Sequence, residues 1–150
     1  METKTVHSQP VVLAIDQVPL GLTRQMSWAV TAGEIDAFAA LSGDFNPLHV
    51  ASAFAQEKGF RDRVAHGMLL AAKISAFAGM ILPGRDCVLL ETKLGWPKPI
   101  FPGDDILITG EITELSIEQR VIRVKITAIK SEHTKKVTVG RGWILCQVRS

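Results

Sequence analysis

An α+β domain, with one antiparallel sheet covering a buried helix, is the fold class this sequence predicts. Three observations lead there. Gly67 to Ile81 is apolar almost all round, as a helix buried on most sides is. From Val88 onward apolar and polar residues alternate, the mark of strands with one solvated face. Short turn sequences such as Pro102-Gly103-Asp104 separate those strands, so neighbours run antiparallel. A helix without a polar face needs a cover, and the sheet supplies it.

In chain order, residues 1–23 read as an irregular lead, with one extended piece at Val11 to Ile15. A short strand follows around Gln25 to Val30. Thr31 and Glu34 match a capping box, and Ile35, Phe38, Ala39 and Leu41 recur at helical spacing, so Ala32 to Leu41 is an amphipathic helix. Ser42-Gly43 stops it, with glycine free to take the left-handed position. Gly43 to His49 is a loop by its Gly, Asp, Asn and Pro content. A short helical piece spans Ser52 to Lys58 and closes at Gly59. After the charged turn Arg61-Asp62-Arg63 comes the long apolar helix, which Pro83-Gly84 ends. Ile106, Ile108 and Ile112 mark one face of a strand. Ile122, Val124, Ile126 and Ala128 mark another, and Val137 to Val148 supplies the last.

At 150 residues the chain is the length of a single domain, 1–150, and can build a real core. A hydrophobic share of 47% with 21% charged residues excludes a disordered chain. Seventeen basic against fifteen acidic residues give +2, too even to point to nucleic acid or a membrane surface as partner. Cys87 and Cys146 lie in no metal-ligand or redox spacing, so two free thiols are expected, a single disulfide being the alternative. Met1 to Gln9 lack an apolar signal region, and the apolar run Gly67 to Leu82 is shorter than the ~20 residues that span a bilayer and carries Lys73. A cytoplasmic location is the expectation.

The chemistry concentrates in Leu41-Ser42-Gly43-Asp44-Phe45-Asn46-Pro47-Leu48-His49. A carboxylate and an imidazole five residues apart share no helix face. The Asn-Pro between them forces a turn that brings both to one point, where they can hold a water and move its protons. Alone, a Gly-Asp or a single histidine reads as a capped loop and a surface residue. The composite pattern changes that.

The segment resembles the signature of MaoC-like (R)-specific enoyl-CoA hydratases, a Gly-Asp-x-Asn-Pro-hydrophobic-His element after a helix. Ala53-Phe54-Ala55 follows at the family's distance. Val64-Ala65-His66-Gly67-Met68-Leu69-Leu70-Ala71 is similar to its His-Gly-Met segment, and Trp96-Pro97-Lys98-Pro99-Ile100-Phe101-Pro102-Gly103-Asp104 to its Pro-hydrophobic-x-x-Gly-Asp turn. The resemblance runs from about Gln25 to Val148. It implies a single hot-dog domain, an antiparallel sheet wrapped around the central helix, forming a homodimer with sheets joined edge to edge. The implied reaction is reversible addition of water to a trans-2-enoyl-CoA, giving an (R)-3-hydroxyacyl-CoA. The thioester enters as substrate, with no metal, no cofactor, and an acyl carrier protein as the alternative carrier.

By the same resemblance Asp44 and His49 act on the water, while Asn46 orients the loop at the substrate. The developing enolate oxygen needs donors, and Gly67 suits, since its amide starts the apolar helix and has no side chain in the way. His66 is a candidate for loop support, helix capping or substrate contact. Ser75, Ala76 and Ala78 are small enough to leave room for the acyl chain. Lys58, Arg61, Arg63 and Lys98 flank the motifs as candidates for the CoA phosphates, whereas His7 and His133 read as solvated. Departures from the family are the absence of tyrosine, Ala51 and Ser52 where an acid and a proline are usual, and the bulk of Trp96 and Trp143. The competing readings are a hot-dog thioesterase, which directs water at the carbonyl carbon, and a non-catalytic acyl-thioester-binding subunit.

Overall fold

The computed structural model describes residues 9–149. Its elements are β1 (Thr23–Ala29), α1 (Ala32–Ser42), α2 (Pro47–Val50), α3 (Ser52–Glu57), α4 (Gly67–Met80), β2 (Cys87–Gly95), β3 (Asp105–Ser116), β4 (Val121–Glu132) and β5 (Lys135–Val148). The five strands form one antiparallel sheet in the order β1-β3-β4-β5-β2. This is the α+β, hot-dog arrangement: the sheet curves around α4.

The register follows the alternation. Ile106, Ile108 and Ile112 of β3, Ile122, Val124 and Ile126 of β4, and Val139, Ile144 and Cys146 of β5 all lie in one core. Leu69, Leu70, Ile74, Phe77 and Ala78 of α4 face them. Two glycines let helix and sheet approach. A Cβ on Gly110 would sit 2.5 Å from Cε1 of Phe77, and one on Gly140 would sit 2.5 Å from Cδ2 of Leu70. Such a close-packed seam has no room for even a methyl group.

Polar ties fix the frame around this core. The capping box forms as the sequence predicts, with Thr31 Oγ1 accepting from the Glu34 amide at 3.1 Å and Glu34 accepting from the Thr31 amide at 3.2 Å. Glu34 also accepts from Nε1 of Trp28 at 2.9 Å and pairs with Lys73, which explains a lysine in an apolar helix. Burial pushes the Glu34 carboxyl up, but the bonds from Lys73, Trp28 and Thr31 together outweigh it and hold it below the ordinary carboxylate value. On the far side Lys130 is buried, donating to Pro99 O at 3.0 Å and to Asp104 Oδ2 at 2.9 Å. Asp104 in turn accepts from Arg61 at 2.7 Å and from the Phe101 amide at 2.8 Å.

Some expectations need correction. Val11 to Ile15 is not a strand. Val11 instead bonds Met80 O through its amide at 2.9 Å and accepts from the Arg85 amide at 2.8 Å, while Ile15 and Val18 insert singly into the core. Gly84, at φ +103, allows that approach, since a Cβ there would lie 2.2 Å from Val11 O. The loop before His49 ends in the helical turn α2, because Pro47 suits a first helical position and Asn46 caps it. The apolar helix α4, expected to be buried on most sides, has an open face instead. Met68, Ala72, Ser75 and Ala76 are exposed on its outer face. Strand β2 is exposed along most of its length, Val88, Leu89 and Leu90 included, and its outer edge pairs with no strand among the described residues. Cys87 and Cys146 are free thiols, as the sequence predicts, and the hydrogen bond between them lowers the Cys87 thiol and raises that of Cys146. His133 is exposed; His7 lies outside the described residues.

Candidate active site

The end of α1 sets up the site. Gly43 takes the left-handed position at φ 78, with its amide on Ala39 O at 2.9 Å. Ser42 Oγ then accepts from the Asp44 amide at 3.2 Å, and Asp44 Oδ1 from the Asn46 amide at 3.1 Å. Asn46 Oδ1 accepts from the Leu48 amide at 3.0 Å. These short-range bonds turn the chain so that Asp44 and the α2 residue His49 face each other, as the Asn-Pro turn predicts.

His49 is oriented by a carbonyl. Its Nδ1 lies 2.6 Å from Val64 O, which can only accept, so Nδ1 carries the proton and Nε2 its lone pair. That Nε2 stands 3.8 Å from Asp44 Oδ2. The gap is too long for a direct hydrogen bond and suits one water bridging both atoms. The His49 side chain is 15% exposed and that of Asp44 50%, so the pair sits at an opening and not in the core.

His66 lies beneath this pair at 3% exposure. Its Nε2–H donates to Asp44 O at 3.0 Å, and its ring stacks on His49 with centroids 3.9 Å apart and planes 26° from parallel. Phe38 packs on it at 4.9 Å. Nδ1 of His66 is buried without a hydrogen-bond partner among the described residues. Of the roles open to it, helix capping is not the one its side chain takes: that side chain makes no cap bond to α4 and is spent on Asp44.

Donor atoms of Asp44, His49 and His66 lie within 4.8 Å of one another, a spacing that a metal ion could exploit. In each ring one nitrogen donates to a carbonyl, which leaves Nε2 of His49 and Nδ1 of His66 as the two nitrogens that could face such an ion.

Gly67 follows His66 as the first residue of α4, so its amide has no intrahelical acceptor. The structure thus brings Asp44, His49, His66 and Gly67 together. Asn46 stands beside them, exposed, with its oxygen committed to the α2 cap. Ser75 and Ala78 are not part of the cluster. Ser75 is exposed on the outer face of α4, about 12 Å along the axis from Gly67 at the usual helical rise. Ala78 is packed in the core. Arg61 is engaged by Asp104, and Arg63 by Asp36 at 2.6 Å, while Lys58 lies over Phe54 and Lys98 is exposed. Trp143 stacks under Arg123 at 4.1 Å.

Two contributors escape sequence reasoning. The Val64 carbonyl that fixes the His49 tautomer is backbone and leaves no side-chain signal. Trp96, whose size alone was notable, donates from Nε1 to Gly67 O at 2.8 Å. Exposed apolar side chains, Leu41, Phe45 and Met68, lie within three residues of the site residues in sequence.

Comparison with known proteins agrees with this fold. Residues 14–137 match the MaoC-like domain model, and the chain belongs to that family. It is 39% identical over 103 residues, 69% of this chain and 77% of the relative, to the (R)-specific enoyl-CoA hydratase of Aeromonas caviae. It is 34% identical over 116 residues, 77% of this chain and 74% of the relative, to a 3-hydroxybutyryl-CoA dehydratase of Methylorubrum extorquens. The unliganded R-hydratase PhaJ1 from Pseudomonas aeruginosa superposes with a TM-score of 0.86 at 28% identity, covering 95% of this chain and 90% of that one.

The stacking of His66 on His49 has a direct signature. Replacing His66 with Leu removes the ring current above His49, so the His49 ring-proton resonances should move downfield in a folded protein. Unmoved His49 resonances would mean that the rings do not stack.

Proposed function

We propose that this protein is a hydro-lyase that adds water reversibly across the trans-2,3 double bond of an enoyl-CoA, giving an (R)-3-hydroxyacyl-CoA. The carrying observation is the 3.8 Å gap between Asp44 Oδ2 and His49 Nε2, with His49 held by Val64 in the tautomer that leaves Nε2 free. A water in that gap can lose a proton to the pair as its oxygen bonds to C3 of the enoyl group. The pair returns a proton to C2, and the π electrons pass through the enolate in between. Negative charge gathers on the thioester oxygen, and this reading assigns the Gly67 amide, at the positive end of α4, as its donor.

The relatives' substrates, CoA thioesters in both, support the same carrier here. The Asp44–His49 pair supplies every proton transfer, so the reaction calls for no cofactor. The exposed apolar residues beside the pair, with the outer face of α4 that includes Ser75, offer a path for the acyl chain; the buried Ala78 borders it only from below. The free, apolar edge of β2 supports a homodimer in which two copies pair edge to edge. No helix among the described residues is long and apolar enough to cross a membrane.

Two measurements check this reading. With crotonyl-CoA, the protein should bleach the conjugated enoyl absorbance without releasing thiol. Asp44→Asn and His49→Ala should each lower the rate by about 10²–10⁴, and the double variant should be little worse than either, because the two act on one water. Thiol release that needs Asp44 but not His49, without bleaching, would instead mark a thioesterase. For assembly, light scattering should give a dimer for the wild type and a single chain for Leu90→Lys; a Leu90→Lys protein that stays dimeric would move the interface off β2.

A further inference from the structure

Trp96 stands directly on the glycine that the hydratase reading makes the oxyanion donor. A Cβ built on Gly67 would lie 3.2 Å from both Cε2 and Nε1 of the indole and 3.5 Å from Cδ2, so the ring covers the open side of that residue. The same indole gives its Nε1–H to Gly67 O at 2.8 Å. Trp96 is itself 45% exposed, so the contact is not a by-product of burial in the core.

The bond falls at a telling place. At the start of α4 the Leu69 amide is satisfied by His66 O at 3.0 Å, and the His66 side chain caps nothing. The amides of Gly67 and Met68 therefore lead the helix without intrahelical partners. Glycine is the most freely rotating residue, so an amide carried by Gly67 needs an outside restraint to keep its direction. The Gly67 carbonyl is also part of the same peptide unit as the Met68 N–H. A donor on that oxygen draws electron density across the unit and makes the Met68 N–H a stronger donor.

Building on the hydratase reading above, we propose that Trp96 is a positioning residue for the oxyanion-binding amides of α4, acting through its bond to the Gly67 carbonyl. It touches no reacting atom. Its influence appears where the oxyanion charge develops, in the transition state, so it belongs in kcat and not in KM.

The test compares wild type, Trp96→Phe and Trp96→Leu in steady-state hydration of crotonyl-CoA. Both variants lose the N–H donor, and only Phe keeps an aromatic wall. Each should lower kcat about fivefold, the effect of one neutral hydrogen bond, with KM within about twofold and thermal unfolding close to wild type. A kcat within twofold of wild type in Trp96→Phe overturns the proposal. So does a loss in Trp96→Leu that Trp96→Phe does not share, since ring bulk and not the bond would then be responsible. A change confined to KM also overturns it. A wild-type protein that does not hydrate the substrate at all removes the hydratase reading and this inference together, whereas an active wild type matched by both variants removes only the inference.

Discussion

One buried imidazole holds this site together. His66 reaches across 22 residues of sequence to bond Asp44 O, lies flat beneath His49, and is followed at once by Gly67 at the head of α4. Asp44 and His49 thus rest on one buried side chain, and the chain leads from it directly into Gly67. Nδ1 of His66 is buried with no hydrogen-bond partner among the described residues. A buried polar atom left unpaired beside the Asp44–His49 pair is the kind of exception that packing alone would not favour.

The sheet carries that imidazole into place from the other side. The Ala65 amide bonds Ile100 O at 2.8 Å, tying the segment before His66 to the β2–β3 connection. That connection is pinned by buried Lys130 through Pro99 O and Asp104, and by the Gly103 amide on Val30 O at 2.8 Å. Breaking a buried pair such as Lys130–Asp104 leaves an uncompensated charge, so the pin resists loosening strongly. Below, Gly110 and Gly140 let Phe77 and Leu70 seat α4 deep in the sheet. The position of Gly67 is thus a consequence of core packing about one turn and about three turns further along the same helix.

Much of this is legible from residue patterns, because local rules govern it. Thr31 and Glu34 announce α1, Gly43 ends it, and the alternating isoleucines of β3 and β4 give both strands and their inward face. The convergence of Asp44 and His49 follows from the Asn-Pro turn. What stays hidden depends on tertiary partners. Periodicity cannot tell which side of an all-apolar helix meets the sheet, so Ser75 and Ala78 look alike although one is exposed and the other buried. Lys130 shares the parity of Ile126 and Ala128, yet its charge argues for the outside until Asp104 is seen beside it. Arg61 and Arg63 look free in sequence and are engaged in space. The Val64 carbonyl has no side-chain signature at all.

The central claim, that the Asp44–His49 gap delivers a water oxygen to C3 of an enoyl thioester, can be read atom by atom. Crotonyl-CoA is incubated with the protein in H₂¹⁸O, and the isolated product is fragmented in a mass spectrometer. The account predicts one ¹⁸O in the 3-hydroxyl group of an intact 3-hydroxybutyryl thioester, with none at the carbonyl. Label found instead in the carboxyl group of a free acid, with C2 and C3 still joined by a double bond, would contradict it.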